Sequence, residues 1–353
     1  MRVLFITLSG LGDTLMHVPM MEILKAKMPD AETHALTKFI GSKEVLEGNP
    51  ALDKVMHFDF EREGVFGTLK FVSKLRNYYD VTITCYPANR IHYNLFQFLM
   101  GGKIRLAHSY RHWNILNCWF LNHTIMEDDN LHNVDENIRL LKFLGINYDN
   151  SDKKYVPKIY LSEENKQFAR KYVEKLRNGK LLIGMHTWST EFKNMHKKCW
   201  GQEKFAKLID LLYEELNAIT LIFEGPNDKK AVEFIMEKTR HKPHVVRDLK
   251  IKDMAAIIQQ CDLFITNDSG IMHVAEAVGA PLCVIFGPTN PAWSGPYAGK
   301  FKIIRKNLRC MPCFRYSPEP LKCKVYGDFR CLKDLEVDYV FEEVKNFLDE
   351  MKK

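Results

Sequence analysis

Residues 261–297, CDLFITNDSGIMHVAEAVGAPLCVIFGPTNPAWSGPY, decide the fold of this chain. An apolar run of strand type over residues 262–266 leads into a polar turn at residues 267–270. Apolar residues then recur at helical spacing until a glycine and a proline stop the helix. A second apolar run follows over residues 282–286. The stretch therefore predicts a strand, a helix and a second strand, the repeating unit of a parallel sheet.

The helix in this stretch predicts a binding site for a phosphate or diphosphate. It begins at Ser269-Gly270 directly after a strand, so its free N–H groups and the positive end of its dipole point at one spot. An ordinary capped helix would show the same sequence. Two further features favour a site, namely His273 in the first helical turn and residues 287–289 after the next strand. Both are expected at the carboxyl ends of the strands, where open α/β sheets bind ligands.

The same stretch resembles the signature of glycosyltransferase family 9, the heptosyltransferase family. The matching residues are Asp268-Ser269-Gly270-x-x-His273-x-Ala275-x-Ala277-x-Gly279-x-Pro281 and Phe286-Gly287-Pro288-Thr289. The turn Gly10-Leu11-Gly12-Asp13 matches the family's second hallmark. The resemblance covers nearly the whole chain in order and spacing. It implies an α/β protein of the GT-B fold, in which two Rossmann-like domains with parallel sheets face each other across a cleft.

The composition bounds the class of protein and its partners. At 353 residues the chain is long for one core and suits two domains, and its 46% hydrophobic and 27% charged residues are typical of a globular protein. Since we find no bilayer-length apolar run and no signal peptide, we expect a cytoplasmic protein. The net charge of +7 favours acidic partners, and it is compatible with peripheral contact with the anionic cytoplasmic face of the inner membrane. It is too small to indicate nucleic acid.

Alternating strand and helix patterns predict two domains of similar build. We expect an N-terminal acceptor-binding domain over residues 1–178 and a nucleotide-sugar-binding domain over residues 179–335. A C-terminal helix over residues 336–353 is expected to pack back across the boundary. The glycine turn after the first strand lacks the third glycine of a dinucleotide fingerprint, because Leu15 stands there.

Glycosyl transfer from a nucleoside diphosphate needs a base for the acceptor proton and positive charge for the leaving diphosphate. Asp13 is a carboxylate at the mouth of the predicted crevice, and the resemblance implies that it is the base; helix capping is the alternative. In the family, a lysine two residues before a tryptophan contacts the diphosphate, and Lys198 matches it. Lys193 and Lys197 compete for this role, because the residues after Lys198 depart from the family's pattern.

The other site candidates follow the predicted strands. Asp228 matches the family's acidic ribose contact, with a helix N-cap as the alternative, and Asp268 is expected to orient His273 or to act on the donor sugar. The predicted catalytic set is Asp13, Lys198 and Asp268, and the predicted donor-binding set is Thr187, Ser189, Asp228, Ser269, Gly270, His273, Gly287 and Thr289. An aromatic and basic band at residues 89–133 has little clean periodicity and suggests acceptor binding, against the alternative of a surface helix and loop with incidental histidines. The acceptor candidates are Gly12, Arg105, Arg111 and His112.

Four cysteines within residues 310–331 form a second motif, Cys310-x-x-Cys313 followed by Cys323 and Cys331. Four thiolates can wrap one tetrahedral zinc or iron ion and order a loop-rich segment, whereas four reduced cysteines that happen to cluster are the alternative. A similar pattern recurs in autotransporter heptosyltransferases, which the segment resembles, with an iron-binding finger. We expect a structural metal and no catalytic one, since no Asp-x-Asp pair is present to hold an ion against a diphosphate.

The resemblance implies an inverting, metal-independent transfer of heptose from ADP-L-glycero-D-manno-heptose to a lipopolysaccharide core sugar. A second interpretation keeps the fold and makes serines of a surface protein the acceptor. A nucleotide-dependent oxidoreductase or epimerase is the alternative from another class, and the incomplete glycine fingerprint counts against it. A zinc-dependent binding module ranks last because it leaves Asp13 unexplained.

Overall fold

The computed structural model describes residues 1–88, 90–110, 118–316 and 319–352. The chain divides into two compact units, Met1–Tyr160 and Leu161–Lys353. Each unit contains a six-stranded sheet. The division lies before the helix that precedes the boundary expected at residue 178, so this helix belongs to the second unit.

The first unit has the strand order of a Rossmann fold. Its strands are β1 (Arg2–Thr7), β2 (Glu32–Thr37), β3 (Lys54–His57), β4 (Val81–Thr84), β5 (Ile104–Ser109) and β6 (His123–Met126). They lie in the order β3-β2-β1-β4-β5-β6, and every neighbouring pair is parallel. Because the order reverses between β1 and β4, the carboxyl ends of these strands form the topological switch point of the sheet.

The helices of the first unit depart from the sequence pattern at two places. They are α1 (Leu11–Met16), α2 (Val18–Lys27), α3 (Ile40–Leu46), α4 (Phe60–Lys74), α5 (Ile91–Leu99), α6 (Asn133–Arg139) and a 3-10 helix (Leu140–Leu144). The helical sequence pattern at residues 67–79 predicts a later start for α4, but the helix begins at Phe60, because the Asp59 carboxylate caps it. Helix α5 lies in the band at residues 89–133, and it shows little hydrophobic periodicity because it buries polar residues: Gln97 faces the core and donates to the Thr82 and Leu106 carbonyls.

The second unit repeats the same strand order. Its strands are β7 (Leu182–His186), β8 (Ile219–Phe223), β9 (His244–Val246), β10 (Leu263–Asn267), β11 (Leu282–Ile285) and β12 (Phe301–Ile304). The order is β12-β11-β10-β7-β8-β9, again with parallel pairs throughout. The reversal lies between β7 and β10, so β7 takes the position that β1 has in the first unit.

The helices of the second unit cover this sheet and fix its core. They are α7 (Glu163–Arg177), α8 (Gln202–Leu216), α9 (Lys229–Lys238), α10 (Ile251–Gln259), α11 (Gly270–Ala277), α12 (Pro291–Ser294), α13 (Arg330–Lys333), α14 (Val337–Lys352) and a 3-10 segment (Phe192–Lys198). The predicted strand–helix–strand unit is present as β10, α11 and β11. Helix α14, expected to cross the boundary, packs against α8 and β12 of its own unit. A Cβ at Gly184 of β7 would lie 2.5 Å from the Phe264 ring, so close packing of β7 on β10 requires glycine there.

Among the helices of the described residues, none is both long enough and apolar enough to cross a bilayer.

Candidate functional site

The carboxyl ends of β7 and β10 form the centre of the candidate site in the second unit. β7 ends at His186, and β10 ends at Asn267, immediately before Asp268-Ser269 and α11. The two strands pair directly, with Thr266 opposite His186. Since the strand order reverses between them, their ends leave the crevice in which open α/β sheets bind ligands.

The N-terminus of α11 opens onto this crevice. Ser269 is the N-cap residue, but its side chain makes no capping hydrogen bond. Within the first turn, the Met272 N–H donates to the Ser269 backbone carbonyl at 3.1 Å, whereas the serine hydroxyl, which normally accepts from this turn, does not. This end of the helix has the properties of an anion site, as the sequence predicts for Ser269 and Gly270.

Lys198 lies inside the site and is held there by Asp268. Its Nζ donates to Asp268 Oδ2 at 2.9 Å, and Thr289 Oγ1 donates to the same oxygen at 2.6 Å. Lys198 is 8% exposed, whereas the competing Lys197 lies on the surface. A buried ammonium needs such a carboxylate, because its loss of hydration is otherwise uncompensated. Of the two roles considered for Asp268, orienting His273 receives no support from its hydrogen bonds, which go to Lys198 and Thr289.

A second buried network joins Asp228, His186 and Ser269. His186 Nε2 lies 3.0 Å from Asp228 Oδ2, and His186 Nδ1 lies 3.2 Å from Ser269 Oγ. Asp228 occupies the N-cap position of α9 but makes no capping bond. Its carboxylate instead accepts from the Gly225 N–H at 2.8 Å and from His186. The helix-cap alternative for Asp228 is therefore wrong, and the structure ties this residue to the start of α11.

His273 is fixed by a glutamate that sequence reasoning missed. Its Nδ1 lies 3.3 Å from Glu276 Oε2, and both side chains are buried. The other oxygen, Glu276 Oε1, accepts from the N–H groups of Tyr297 at 2.5 Å and Ala298 at 3.0 Å. The pair thus ties α11 to the loop after α12. The spacing of three residues, which puts both on one helix face, is the signal that could have revealed it.

The loops around the site are packed by further contacts. Thr187 and Ser189, both predicted donor contacts, are buried directly after β7. Asn267 Oδ1 accepts from the Trp200 N–H at 2.9 Å and so fixes the end of the lysine segment, a role that the sequence did not suggest. A Cβ at Gly287 would lie 2.8 Å from the Leu332 side chain. The packing of α13 against this loop is therefore enough to explain the glycine, without a contact to the donor.

In the first unit, the turn with Asp13 follows β1 at that sheet's own switch point. Gly10 is the N-cap residue of α1, and Asp13 lies within the first helical turn. Asp13 is thus the third residue of the helix and not the N-cap residue itself, and its role as a base stays a prediction. Gly12 is buried and Asp13 is half-buried, so the carboxylate keeps contact with the surface.

The predicted acceptor band is only partly described. Arg105 is committed to its own loop, since Nε donates to the Phe120 carbonyl at 2.8 Å and Nη1 to the Gly102 carbonyl at 2.7 Å. These bonds give Arg105 a structural role, which is to hold the surrounding loop together. Arg111 and His112 lie outside the described residues.

A buried polar cluster near the ends of β4 and β5 had no signal in the sequence. His108 Nε2 lies 3.0 Å from Glu136 Oε2, which also accepts from Arg139 at 2.6 Å. His17 Nε2 donates to the Tyr86 carbonyl at 2.7 Å, and burial lowers the pKa of this histidine to about 4 despite that bond. His17 is therefore neutral at physiological pH. These residues come from distant parts of the chain, and periodicity does not bring them together.

The four-cysteine segment is connected to the donor-site loops. The Cys313 N–H donates to the Pro288 carbonyl at 2.9 Å, and the Leu321 N–H donates to the Lys193 carbonyl at 2.8 Å. Burial raises the pKa of Cys331 to about 12, and the thiols of Cys313, Cys323 and Cys310 add to the rise. Within the described ranges, no group of three or more His, Cys, Asp or Glu side chains is placed to hold a metal ion.

Comparison with known structures supports the fold. The glycosyltransferase family 9 structure from Veillonella parvula matches with a TM-score of 0.81 at 23% identity, covering 99% of this chain and 97% of that one. The structure of ADP-heptose lps heptosyltransferase II from E. coli matches with a TM-score of 0.75 at 21% identity over 100% of both chains. At these identities the likeness concerns the fold, and it confirms the GT-B class.

Comparison of the sequence identifies the family. Lipooligosaccharide heptosyltransferase 2 of Campylobacter jejuni is 32% identical over 178 residues, 49% of this chain and 53% of that protein, so the match spans about half of that relative's length. Lipopolysaccharide heptosyltransferase 3 of E. coli is 24% identical over 81% of this chain and 82% of that protein. The model of Glycosyltransferase family 9 (heptosyltransferase) matches residues 68–323, which is more than half of the chain. The protein described by this sequence belongs to glycosyltransferase family 9, the heptosyltransferase family.

Proposed function

We propose that this protein transfers heptose from ADP-L-glycero-D-manno-heptose to a lipopolysaccharide core sugar, with inversion at the transferred carbon. One observation carries the proposal: the buried Lys198 ammonium and the uncapped N-terminus of α11 belong to one site at the switch point of the second sheet. A cation and a helix dipole together suit a leaving diphosphate. The similarity to relatives that are named heptosyltransferases supports heptose as the sugar.

The proposed reaction is a single displacement. The acceptor hydroxyl attacks the anomeric carbon as the bond to the diphosphate breaks, and Asp13 takes the hydroxyl proton. The departing ADP carries the electron pair of the broken bond. Its charge is stabilised by Lys198 and by the N–H groups at Ser269-Gly270, so these residues supply the stabilisation that a divalent ion gives elsewhere. Attack on the face opposite the leaving group inverts the configuration.

The remaining donor-site residues have positioning roles in this proposal. Asp268 and Thr289 hold the lysine, and Glu276 holds His273. Asp228 as a ribose contact stays a prediction, and its bond to His186 leaves one carboxylate oxygen, Oδ1, without a hydrogen bond to a described residue. That oxygen is the one proposed to accept from a ribose hydroxyl.

A binding panel of ADP, UDP, GDP and NAD, measured by calorimetry on the purified protein, tests the donor. The proposal expects ADP to bind most tightly. Selective binding of UDP or GDP would replace the donor and keep the fold. Preference for NAD over every diphosphate would favour the oxidoreductase alternative and overturn the proposal.

We also propose that Cys310, Cys313, Cys323 and Cys331 hold one structural zinc or iron ion. Four thiolates are a donor set that both metals accept, and the Cys310-x-x-Cys313 spacing followed by two further cysteines supports the proposal. The backbone bonds from this segment to the Pro288 and Lys193 carbonyls indicate what the metal would do. It would order the segment and thereby the loops beside Lys198.

Metal content tests this proposal with a matched pair of variants. Protein purified without added metal is expected to contain about one equivalent of zinc or iron by elemental analysis, since a site of four thiolates binds a single ion. The variant Cys310→Ser/Cys313→Ser should lose it and melt at a lower temperature. The control Cys118→Ser, a partly buried thiol outside the segment, should keep the metal. A metal-free wild-type protein would contradict the proposal.

We propose further that the first unit contacts an anionic bilayer through α4. Gly64, with φ 62°, interrupts the helix, and Val65 and Phe66 after it are 73% and 89% exposed. The exposed side chains of Arg62 and Lys70 flank them, as do the exposed carboxylates of Glu61 and Glu63. The exposed apolar groups match the interfacial region of a bilayer, and the net charge of +7 of the whole chain favours anionic lipid headgroups.

Co-sedimentation with vesicles rich in phosphatidylglycerol tests this contact. The variant Phe66→Asp should bind the vesicles several-fold more weakly, because it places a charge where an apolar ring would insert. The control Tyr339→Asp changes an exposed aromatic residue of α14 in the second unit and should bind like wild type. Equal binding by both variants, or no binding by the wild type, would exclude α4 as the contact.

A further inference from the structure

Ser269 has the backbone of a helix cap without the hydrogen bond of one. Its φ of −148° and ψ of 168° are extended, as in most N-cap residues, and serine is among the residues most favoured there. A capping serine normally accepts from the N–H groups of the first turn. Here the hydroxyl lies 3.2 Å from His186 Nδ1 and 3.4 Å from Thr266 Oγ1 instead. Contacts below the helix end therefore hold this side chain away from the N–H groups.

The bond to Asp228 decides which nitrogen of His186 carries the proton. Burial raises the pKa of Asp228, but the hydrogen bond and charge of His186 outweigh it, and the net pKa lies below the ordinary value. The ionised carboxylate can only accept, so Nε2 of His186 is the protonated nitrogen. Nδ1, the other ring nitrogen, is thereby aimed at the Ser269 hydroxyl, 3.2 Å away, and the two share a hydrogen bond. All three residues are between 5% and 7% exposed, which shields the bonds from water.

We infer that His186 is a positioning residue that holds the Ser269 hydroxyl out of the capping position and so keeps the N-terminus of α11 open for a diphosphate. A serine that turned onto the helix end would place its own oxygen on the N–H groups that an anion needs. Asp228 acts one step further away by fixing the imidazole. The inference rests on the proposed function, because that proposal places the diphosphate on these N–H groups.

Two replacements of His186 separate this role from general packing. Asparagine places its amide group near the position of Nδ1 and can still form a hydrogen bond with the Ser269 hydroxyl. Glutamine places its amide group near the position of Nε2, so it can bond to Asp228 but offers the serine hydroxyl no partner. A capping bond contributes about 1 kcal/mol, so His186→Gln should weaken ADP binding about fivefold, while His186→Asn stays near wild type.

A double variant adds the decisive comparison. Ser269→Ala removes the competing oxygen, so His186→Gln/Ser269→Ala should bind ADP as tightly as Ser269→Ala alone. A packing role for His186 would instead make the double variant at least as weak as His186→Gln. Calorimetry with ADP measures all four variants, and thermal melts check that each is folded.

The outcomes distinguish this inference from the proposal beneath it. Wild-type protein that does not bind ADP would overturn the proposed function and this inference together. Wild-type protein that binds ADP, with His186→Gln unchanged or with no recovery in the double variant, would overturn the inference alone. Fivefold weakening that Ser269→Ala removes is the result that supports it.

Discussion

Replacing Asp13 with asparagine should lower turnover between a hundredfold and ten-thousandfold and leave ADP affinity close to that of wild type. The amide keeps the shape of the carboxylate but cannot take the acceptor proton, so only the chemical step loses a group. Helix α1 should persist, because Gly10 and not Asp13 is its N-cap residue. Steady-state turnover at saturating donor, together with ADP calorimetry, checks both halves of this expectation.

A matched control for Asp13→Asn is Asp59→Asn. Asp59 is also a carboxylate at a helix start in the first unit, but it caps α4 and lies after β3, not at the switch point. Asparagine is as good a cap as aspartate, so this variant should fold and turn over normally. If Asp13→Asn keeps turnover within a few-fold of the control, another group is the base.

Lys198→Ala should reduce turnover by a hundredfold to a thousandfold and also weaken ADP binding, because the leaving diphosphate loses its cation. The same change should lower the free energy of unfolding by about 3 kcal/mol, since it leaves the Asp268 carboxylate buried and unpaired. Turnover assays and urea unfolding measure the two effects separately.

The double variant Lys198→Met/Asp268→Asn distinguishes the chemical role of the lysine from its structural one. Removing both charges together should restore much of the lost stability, because no unpaired buried charge is left. Turnover should stay low. The exposed Lys197→Ala is the control and should behave like wild type. Recovery of turnover in the double variant, or a larger loss in Lys197→Ala or Lys193→Ala, would show that the lysine has been misassigned.

The fold was predictable wherever hydrophobic periodicity and helix-stopping residues agree. Residues 261–297 predicted β10, α11 and β11, because buried parallel strands and an apolar helix face leave clear patterns. The band at residues 89–133 has little hydrophobic periodicity, so the bounds of α5 could not be predicted from it. That helix turns Asn94 and Gln97 inward, and hydrogen bonds from Gln97 to distant backbone make a polar core position acceptable.

The site was predictable as a set of residues but not as a set of partners. Strand ends and family motifs pointed to Asp268, Lys198 and Ser269. Lys198 and Asp268 are 70 positions apart, and His186 and Ser269 are 83 apart, so only the sheet order brings each pair together. For the same reason the cap role considered for Asp228 was wrong: a side chain's best partner can lie on a neighbouring strand that sequence does not identify.

Transfer itself is the most direct test of the account. Purified protein would be incubated with ADP-heptose and a heptose-deficient lipopolysaccharide core, and ADP release and the product would be followed by chromatography and mass spectrometry. The account predicts ADP release that requires the core acceptor, with one heptose added in the anomeric configuration opposite to that of the donor. Transfer only to serines of a surface protein would replace the acceptor. Retention of configuration, or no transfer from ADP-heptose to any acceptor, would contradict it.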